Sequence, residues 1–332
     1  MKSRHHATIE AEQLPELGEP LGGGIFANRY WLGDTEYALI DMGRQNEITG
    51  TWGEAGYIEG ANSFGDGYQN TLFMVGSRSE SALTALCKNC FIPSPLEQAM
   101  LTSSISLGII DNDFKEAWYW SSRRFQDIAA YFIGYRQGLI SGGPREMPIP
   151  TRLVQRLAIT RQTQGIETST LPGSVPSEKS IKSEELPRLG QELFEGIFAA
   201  RYWLDGKEYA LIDIGPEAEI SGKWGEDGNE DAKSYTDGYS NTRAMLKSGS
   251  EIAKQALFNE AFIPAPLEQI LLIFAKTEGI IRNEFQPGLY WSSQSWNYRS
   301  AASCNFSEDI TSGGGRYIEQ PVRLVRKVLI SP

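Results

Sequence analysis

The sequence contains very little histidine or cysteine and no long hydrophobic run. Its 332 residues include two histidines, His5 and His6, and three cysteines. After residue 6 the sequence therefore offers no imidazole for a catalytic triad or for a histidine-ligated zinc site. No segment approaches the ~20 apolar residues that span a bilayer, and the first residues lack the hydrophobic region of a signal peptide. We therefore expect neither export nor membrane insertion.

Basic residues are outnumbered by acidic ones, 31 to 42, which gives a net charge of −11. Nucleic-acid binding depends mainly on lysine and arginine that neutralise phosphates, and anionic membrane surfaces attract the same residues. The charge balance therefore predicts that neither nucleic acid nor a membrane surface is a partner.

What the sequence does contain is a long internal repeat. Residues 24–54 return as residues 196–226, with roughly two-thirds of the positions identical, and a period of this length is that of a duplicated domain rather than a solenoid. Four further motifs repeat in the same order: DGYQNT (66–71) and DGYSNT (237–242), FIPSPLEQ (91–98) and FIPAPLEQ (262–269), YWSS (119–122 and 290–293), TRLVQR (151–156) and VRLVRK (322–327).

The repeat sets the predicted domain boundaries. Residues 14–159 form a first domain and 186–332 a second, while residues 1–13 are a polar N-terminal arm. Residues 160–185 are rich in Ser, Thr, Glu and Pro and have few large apolar groups, so they cannot bury enough surface to fold alone. We interpret them as a linker.

Within one copy, the pattern predicts strands, then helices, then strands. Two β-rich runs flank Gly33-Asp34, which is a hairpin signal. We expect a helix from about Leu72, an amphipathic helix between Ser79 and Cys90, and a third helix that Ser94 caps, with Pro95 and Glu97 in its first turn. YWSS and RLVR are closing strands, separated by an irregular stretch of about 30 residues, which is longer than a packing loop needs.

Cysteines and repeated acids are the candidates for chemistry. Cys87-Lys-Asn-Cys90 has the spacing of a redox motif or of half a zinc site, but apolar residues replace both cysteines in the second copy, which favours packing for these thiols and for the lone Cys304. The repeated acids offer hard oxygen ligands for calcium, although Asp66-Gly67 and Asp237-Gly238 also suit turns before helices. These acids are Asp41/Asp213, Glu54/Glu226 and Asp66/Asp237. We predict no cofactor, no metal and no enzymatic activity.

Taken together, GIFA-x-RYW, EYALI, DGY-x-NT, FIPSPLEQ, YWSS and the final RLVR resemble the Legionella-collagen-like C-terminal domain family, which is widespread in bacteriophage and prophage proteins. The resemblance covers nearly all of both copies and implies an α+β, C-type-lectin-like fold used as a binding or virion module. The chain departs from the family pattern at Phe91-Ile-Pro-Ser and Phe262-Ile-Pro-Ala, where the family has Asp-Trp. That departure weakens any transfer of ligand contacts.

Segments that differ between the copies are the candidate recognition surface. Tryptophans present in both copies (Trp31/Trp203, Trp52/Trp224, Trp120/Trp291) are predicted to belong to the core. Tyr, Trp, Arg and Asn supply contact area and adaptable hydrogen bonds in binding sites, and they occur before each final strand, where related phage adhesins carry receptor contacts. The candidate ligand-binding residues are Arg123, Arg124, Gln126, Asp127, Tyr131, Tyr135, Arg136, Gln294, Trp296, Asn297, Tyr298 and Arg299. The alternative is that these segments are unconstrained surface loops.

The function predicted from the sequence is non-covalent binding in a bacteriophage virion. The first hypothesis is a receptor-binding accessory protein, or adhesin, for a host-surface glycan or protein. The alternative is a structural virion component of the tail, baseplate or capsid decoration that binds other virion proteins. In both cases we expect a homo-oligomer, for example a trimer, made in the host cytoplasm and located in the virion.

Overall fold

The computed structural model describes residues 7–56, 58–114, 118–136, 138–161, 179–228 and 231–331. Within these residues the chain is α+β, as the sequence predicted, with six α-helices and six sheets. Each repeat copy contributes three helices and three sheets, so the two copies have the same architecture.

The first copy contains thirteen elements, and the second repeats all of them except the short second strand. The first copy consists of β1 Thr8–Glu10, β2 Pro20–Leu21, β3 Gly24–Leu32, β4 Thr35–Asp41, β5 Ile48–Gly50, α1 Gly67–Met74, α2 Glu80–Cys87, α3 Pro95–Ser106, β6 Tyr119–Gln126, β7 Ala129–Gly134, β8 Leu139–Pro144, β9 Ile149–Thr151 and β10 Val154–Thr160. The second consists of β11 Ser180–Lys182, β12 Ile197–Leu204, β13 Lys207–Asp213, β14 Ile220–Lys223, α4 Gly238–Lys247, α5 Glu251–Phe258, α6 Pro266–Thr277, β15 Tyr290–Ser295, β16 Ser300–Asn305, β17 Ile310–Gly315, β18 Glu319–Val322 and β19 Val325–Ser331.

The largest sheet of each copy joins its first and last segments. In the first copy the strand order is β1-β10-β4-β3-β2, and in the second it is β11-β19-β13-β12. β1 and β11 each run parallel to the last strand of their own copy. The predicted arm therefore contributes a strand to the first copy, and the end of the predicted linker contributes the matching strand to the second. Linker residues 162–178 lie outside the described residues.

Most local predictions agree with the structure. β3 and β4 form the expected hairpin, with Gly33 in the left-handed region at φ 55°. The Ser94 hydroxyl accepts the Glu97 N–H and caps α3, and the Glu97 carboxylate accepts the Ser94 N–H, which completes a capping box. In α6, Ala265 has no side chain that can cap, so only the bond from the Ala265 N–H to Glu268 remains, at 2.7 Å.

Two local predictions were wrong. The first helix begins at Gly67 rather than near Leu72, because the Asp66 carboxylate accepts the Gln69 N–H and caps it earlier. The stretch after YWSS is not irregular, because β7 and β8 complete a three-stranded sheet with β6. β8 was not expected because it contains glycines, which have low strand propensity. Gly142 leaves room for the Phe125 ring, which a Cβ atom there would approach within 2.6 Å.

The tryptophan prediction is confirmed for two of the three pairs. Trp52, Trp120, Trp224 and Trp291 are fully buried. Each copy also buries an arginine against one of these tryptophans. The Arg145 guanidinium lies 4.6 Å from the centre of the Trp52 ring, and that of Arg316 lies 4.4 Å from the centre of the Trp224 ring. Trp31 and Trp203 are only partly buried. Among the described residues no helix combines the length and apolar character needed to cross a membrane.

A buried glutamate at the start of α3 and of α6 is expected to make stability depend on pH. Glu97 accepts bonds from Tyr30 Oη at 2.5 Å and from two backbone N–H groups, and Glu268 has the matching bonds. Burial raises the pKa of each carboxyl to about 7. Because the folded state then holds protons that the unfolded state releases, the free energy of unfolding is expected to fall as pH rises from about 4.5 through 7.

The slope is expected to approach about 1.4 kcal/mol per pH unit for each carboxyl in that window. Urea unfolding of wild-type protein, Glu268→Gln and the exposed-site control Glu251→Gln, each at several pH values, measures it. Glu268→Gln should have a flatter profile than both others. A profile identical to that of wild type would show that Glu268 keeps an ordinary pKa.

Candidate ligand-binding cleft

The two copies pack against each other through equivalent residues. The Arg29 guanidinium lies 3.9 Å from the centre of the Trp203 ring, and Arg201 lies 3.8 Å from the centre of the Trp31 ring. Interchanging the two copies maps each contact onto the other, because Arg201 corresponds to Arg29 and Trp203 to Trp31. Such reciprocal contacts are the mark of a two-fold interface. The chain is therefore arranged as a pseudo-dimer of its own two copies.

The interface is apolar as well as stacked. α3 packs on α6, β3 on β12 and β8 on β17, and one buried cluster includes residues from both copies, such as Leu101 and Leu271. Partly buried Trp31 and Trp203 belong to this contact rather than to the core of one copy. The Trp203 indole N–H also donates to Glu36 of the other copy at 3.0 Å.

A cleft of about 460 Å³ opens along this interface. The first copy contributes the end of α3 and the turn after β7, and the second contributes the loop before α4 and the end of β15. The residues that line it are Thr102, Ile105, Ser106, Asn112, Tyr135, Arg136, Tyr235, Gln294, Ser295, Trp296 and Asn297. Both copies are therefore needed to build it.

The cleft surface is mostly aromatic and neutral polar. Three aromatic rings, three hydroxyl side chains and three amide side chains line it, together with Ile105 and Arg136. Among the lining residues that the structure describes, none is a carboxylate, although the chain as a whole carries −11. Aromatic faces with neutral donors and acceptors suit a small ligand that is itself both apolar and hydrogen-bonding.

Three polar atoms of the cleft aromatics are buried without a hydrogen bond of normal geometry: Tyr135 Oη, Tyr235 Oη and Trp296 Nε1. The tyrosines are 3% and 4% exposed, and burial raises the pKa of both hydroxyls. Polar neighbours lie near them, Gln98 beside Tyr135 and Thr102 beside Tyr235. An unpaired buried donor costs about 1–3 kcal/mol, so a well-aligned hydrogen bond to any of these atoms would be favourable.

The repeat shows that these polar atoms are specific to the cleft. By repeat position, Tyr135 corresponds to Phe306, Tyr235 to Phe64 and Trp296 to Phe125. Phenylalanine packs equivalently at two of these positions. Tyr135 lies 3.9 Å from Phe114, as Phe306 does from Phe285, and Phe125 lies against Gly142 as Trp296 does against Gly313. Packing alone therefore does not require the hydroxyls or the indole N–H.

The structure brings five of the predicted binding residues together in the cleft: Tyr135, Arg136, Gln294, Trp296 and Asn297. Two others lie within the interface instead. Arg123 pairs with Asp309 at 3.0 Å, and the Tyr131 hydroxyl donates to the Glu308 carbonyl at 2.8 Å.

The remaining predicted residues lie on hairpins outside the cleft. Arg124 contacts Asp127 at 3.6 Å, and the Gln126 carbonyl accepts a bond from Arg145. Tyr298 is 55% exposed. Arg299 is exposed too, and its backbone N–H is held by Asn297.

Sequence reasoning missed six cleft residues: Thr102, Ile105, Ser106, Asn112, Tyr235 and Ser295. A signal for one of them was present, because Tyr235 differs from Phe64 only by a hydroxyl. The others lie at or beyond the end of α3 or beside predicted residues, and only the docking of the copies brings them to the cleft.

The candidate metal and redox residues have other roles in the structure. Asp41 and Asp213 pair with Arg152 and Arg323, and Asp66 and Asp237 cap helices. Glu54 forms an exposed pair with Arg78 at 3.1 Å, and Glu226 offers a backbone carbonyl to Arg316. No group of three or more His, Cys, Asp and Glu side chains suited to a metal occurs in the part of the chain that the structure describes.

All three cysteines are free thiols. Cys90 and Cys304 are buried, as the packing prediction requires, and burial raises the pKa of both thiols. Cys87 is exposed, so the prediction that it packs is wrong. It lies at the last position of α2.

No protein-family model, curated protein or solved structure matches this chain significantly.

Proposed function

We propose that this chain is a non-covalent binding protein that holds part of its ligand in the cleft between its two copies. One observation carries the proposal. At three aromatic positions the cleft side has a polar atom that the equivalent position lacks, and all three atoms are buried without a hydrogen bond of normal geometry. Rotation of these side chains toward the cleft would let a bound ligand supply well-aligned hydrogen bonds.

The lining favours a neutral ligand, or one with a single negative charge, that has both apolar faces and hydroxyl or amide groups. Sugar rings stack on aromatic faces and exchange hydrogen bonds with amides and hydroxyls, and peptide side chains of mixed character do so as well. Arg136 is the cation at the rim and suits an acidic substituent. These features support a host-surface glycan or protein as the ligand.

The family resemblance gives this proposal its biological setting. It supports two C-type-lectin-like domains in a bacteriophage virion protein that acts as an adhesin, is located in the virion and forms homo-oligomers. Catalysis is not part of the proposal. The alternative, a structural component that binds other virion proteins, would use the same cleft or the exposed aromatic side chains of the second copy, such as Tyr298 and Tyr317.

Exchanging the three aromatic residues for their repeat equivalents tests the cleft. Tyr135→Phe/Tyr235→Phe/Trp296→Phe removes three polar atoms and keeps rings at all three positions. We expect binding of labelled protein to bacterial cells to weaken at least tenfold, because each lost hydrogen bond contributes about 0.5–1.5 kcal/mol. Binding to a panel of bacterial strains, with competition against phage adsorption, measures this.

The matched control is Phe306→Tyr, which adds a hydroxyl at the position equivalent to Tyr135 and should leave binding unchanged. Full binding by the triple variant would show that the ligand binds outside the cleft. If wild-type protein binds no strain, the structural role becomes the leading interpretation, and pull-down of virion proteins with the same variants tests it.

A further inference from the structure

Two-fold packing of two copies predicts a second cleft, because every cleft position has an equivalent on the other side of the interface. The equivalents of Gln294, Ile105 and Gly138 are Arg123, Lys276 and Asp309. Three neutral positions around the open cleft are therefore three charged positions at its counterpart. Gly138 lies against the cleft residue Tyr235, since a Cβ atom there would approach the Tyr235 ring within 2.3 Å.

These three charged side chains form one buried cluster. Asp309 accepts bonds from both Lys276 and Arg123, the latter at 3.0 Å. Their side chains are 10%, 8% and 13% exposed, respectively. The cluster links the copies directly, because Arg123 belongs to the first and the other two residues belong to the second.

Further bonds hold the cluster in place. Lys276 also donates to the Phe306 carbonyl, and Arg123 Nε donates to the Asn62 carbonyl at 3.0 Å. The Arg123 guanidinium lies 5.1 Å from the centre of the Phe64 ring and 4.9 Å from that of Tyr131. Phe64 and Phe306 are the equivalents of the cleft tyrosines, so the cluster occupies the place that the cleft has on the other side.

We propose that Arg123, Lys276 and Asp309 close a latent second ligand site, so that each chain holds one ligand. This inference rests on the proposed function. The same positions that are charged and bonded to one another on the closed side are glutamine, isoleucine and glycine on the open side, so no ion cluster fills the space beside the cleft tyrosines and Trp296. Avidity then requires two or more chains, because one chain cannot bind the same ligand twice.

The test transfers the residues of the open side to the closed side as Arg123→Gln/Lys276→Ile/Asp309→Gly. Removing all three charges together leaves no unpaired buried ion, and glycine suits the positive φ of 57° at residue 309. We expect the crystal structure of this variant to show a second cavity at the counterpart position. Soaking with neutral monosaccharides, used as the probe, should place a sugar in both cavities of the variant and in one cavity of wild-type protein.

An open second cavity that holds sugar, as the native cleft does, supports the inference. A counterpart that stays closed, or that opens and remains empty while the native cleft holds sugar, overturns it. If the cavity opens and sugar occupies neither site, the inference of a latent cleft is supported, and what fails is the part of the proposed function that assigns the native cleft a glycan ligand.

Should the triple variant fail to fold, Arg123→Gln is the second variant. It removes the guanidinium that packs on the Phe64 ring and keeps the Lys276–Asp309 pair, so no buried charge loses its partner. The same readouts and the same outcomes apply to it.

Discussion

Asp309→Asn is expected to lower the free energy of unfolding by about 3–5 kcal/mol, since removing one partner from a buried ion cluster leaves uncompensated charge. Asp309 is the carboxylate between Lys276 and Arg123, and both cations are nearly buried. Without it, two positive charges face each other across the interface between the copies. Asparagine is the right replacement because it tolerates the left-handed backbone at φ 57°, so the loss reports the charge rather than the turn.

Urea unfolding followed by tryptophan fluorescence measures this loss. The control is Asp127→Asn, which removes a carboxylate that is 63% exposed and 3.6 Å from Arg124. Exposed pairs contribute about 0–1 kcal/mol, so the control should remain close to wild type. A loss below about 1 kcal/mol in Asp309→Asn would mean that Lys276 and Arg123 are hydrated without the carboxylate. The charged cluster would then not stabilise the interface between the copies.

Local structure was largely predictable because its causes lie within a few residues of each other. The β3–β4 hairpin depends on one turn, and the α3 capping box depends on Ser94 and Glu97. The start of the first helix was misplaced because Asp66, which also suits a turn before a helix, is itself the cap and accepts the Gln69 N–H. β8 was missed because its glycines are required by the rings packed on them and not by the strand itself.

The position of the cleft could not be predicted from the sequence, although some of the residues that line it were among the candidates. Divergence between the copies drew attention to Tyr135, Trp296 and their neighbours, which line the cleft, but it also selected Arg124 and Tyr298, which lie on outer hairpins. What separates these groups is the docking of the two copies. Docking depends on the Arg29–Trp203 and Arg201–Trp31 contacts and on a shared core, and no spacing within one copy encodes them.

Duplication explains how one interface can have two different sides. A symmetric dimer of identical chains must build both clefts or neither, because each substitution occurs twice. In a fused pair each substitution occurs once, so one side can acquire Arg123, Lys276 and Asp309 while the other side keeps neutral residues. The closed side then stabilises the pairing of the copies, and the open side is left to carry unpaired polar atoms at a cost in stability.

Arg152→Met is the second large effect that we expect, again about 3–5 kcal/mol in the free energy of unfolding. The Arg152 side chain is 2% exposed and binds both oxygens of Asp41, at 2.7 and 2.8 Å, and one oxygen of Glu47 at 2.7 Å. It also reaches Asp113 at 3.0 Å. Methionine fills much of the volume but leaves the buried Asp41 carboxylate without a cation.

The dependence of this loss on pH identifies its cause. Burial raises the pKa of Glu47, and the hydrogen bond and charge of Arg152 oppose that rise. Without the guanidinium the pKa of Glu47 should rise further in the folded variant, so the variant loses stability as pH rises through that value. The difference between wild type and variant should therefore be smaller at pH 5 than at pH 7.5 in urea unfolding. Arg78→Met, which removes a guanidinium that is 80% exposed and paired with Glu54, should differ little from wild type at either pH. An Arg152→Met loss that is equal at both pH values would instead assign the role of Arg152 to packing, including its position 4.5 Å from the centre of the Phe114 ring.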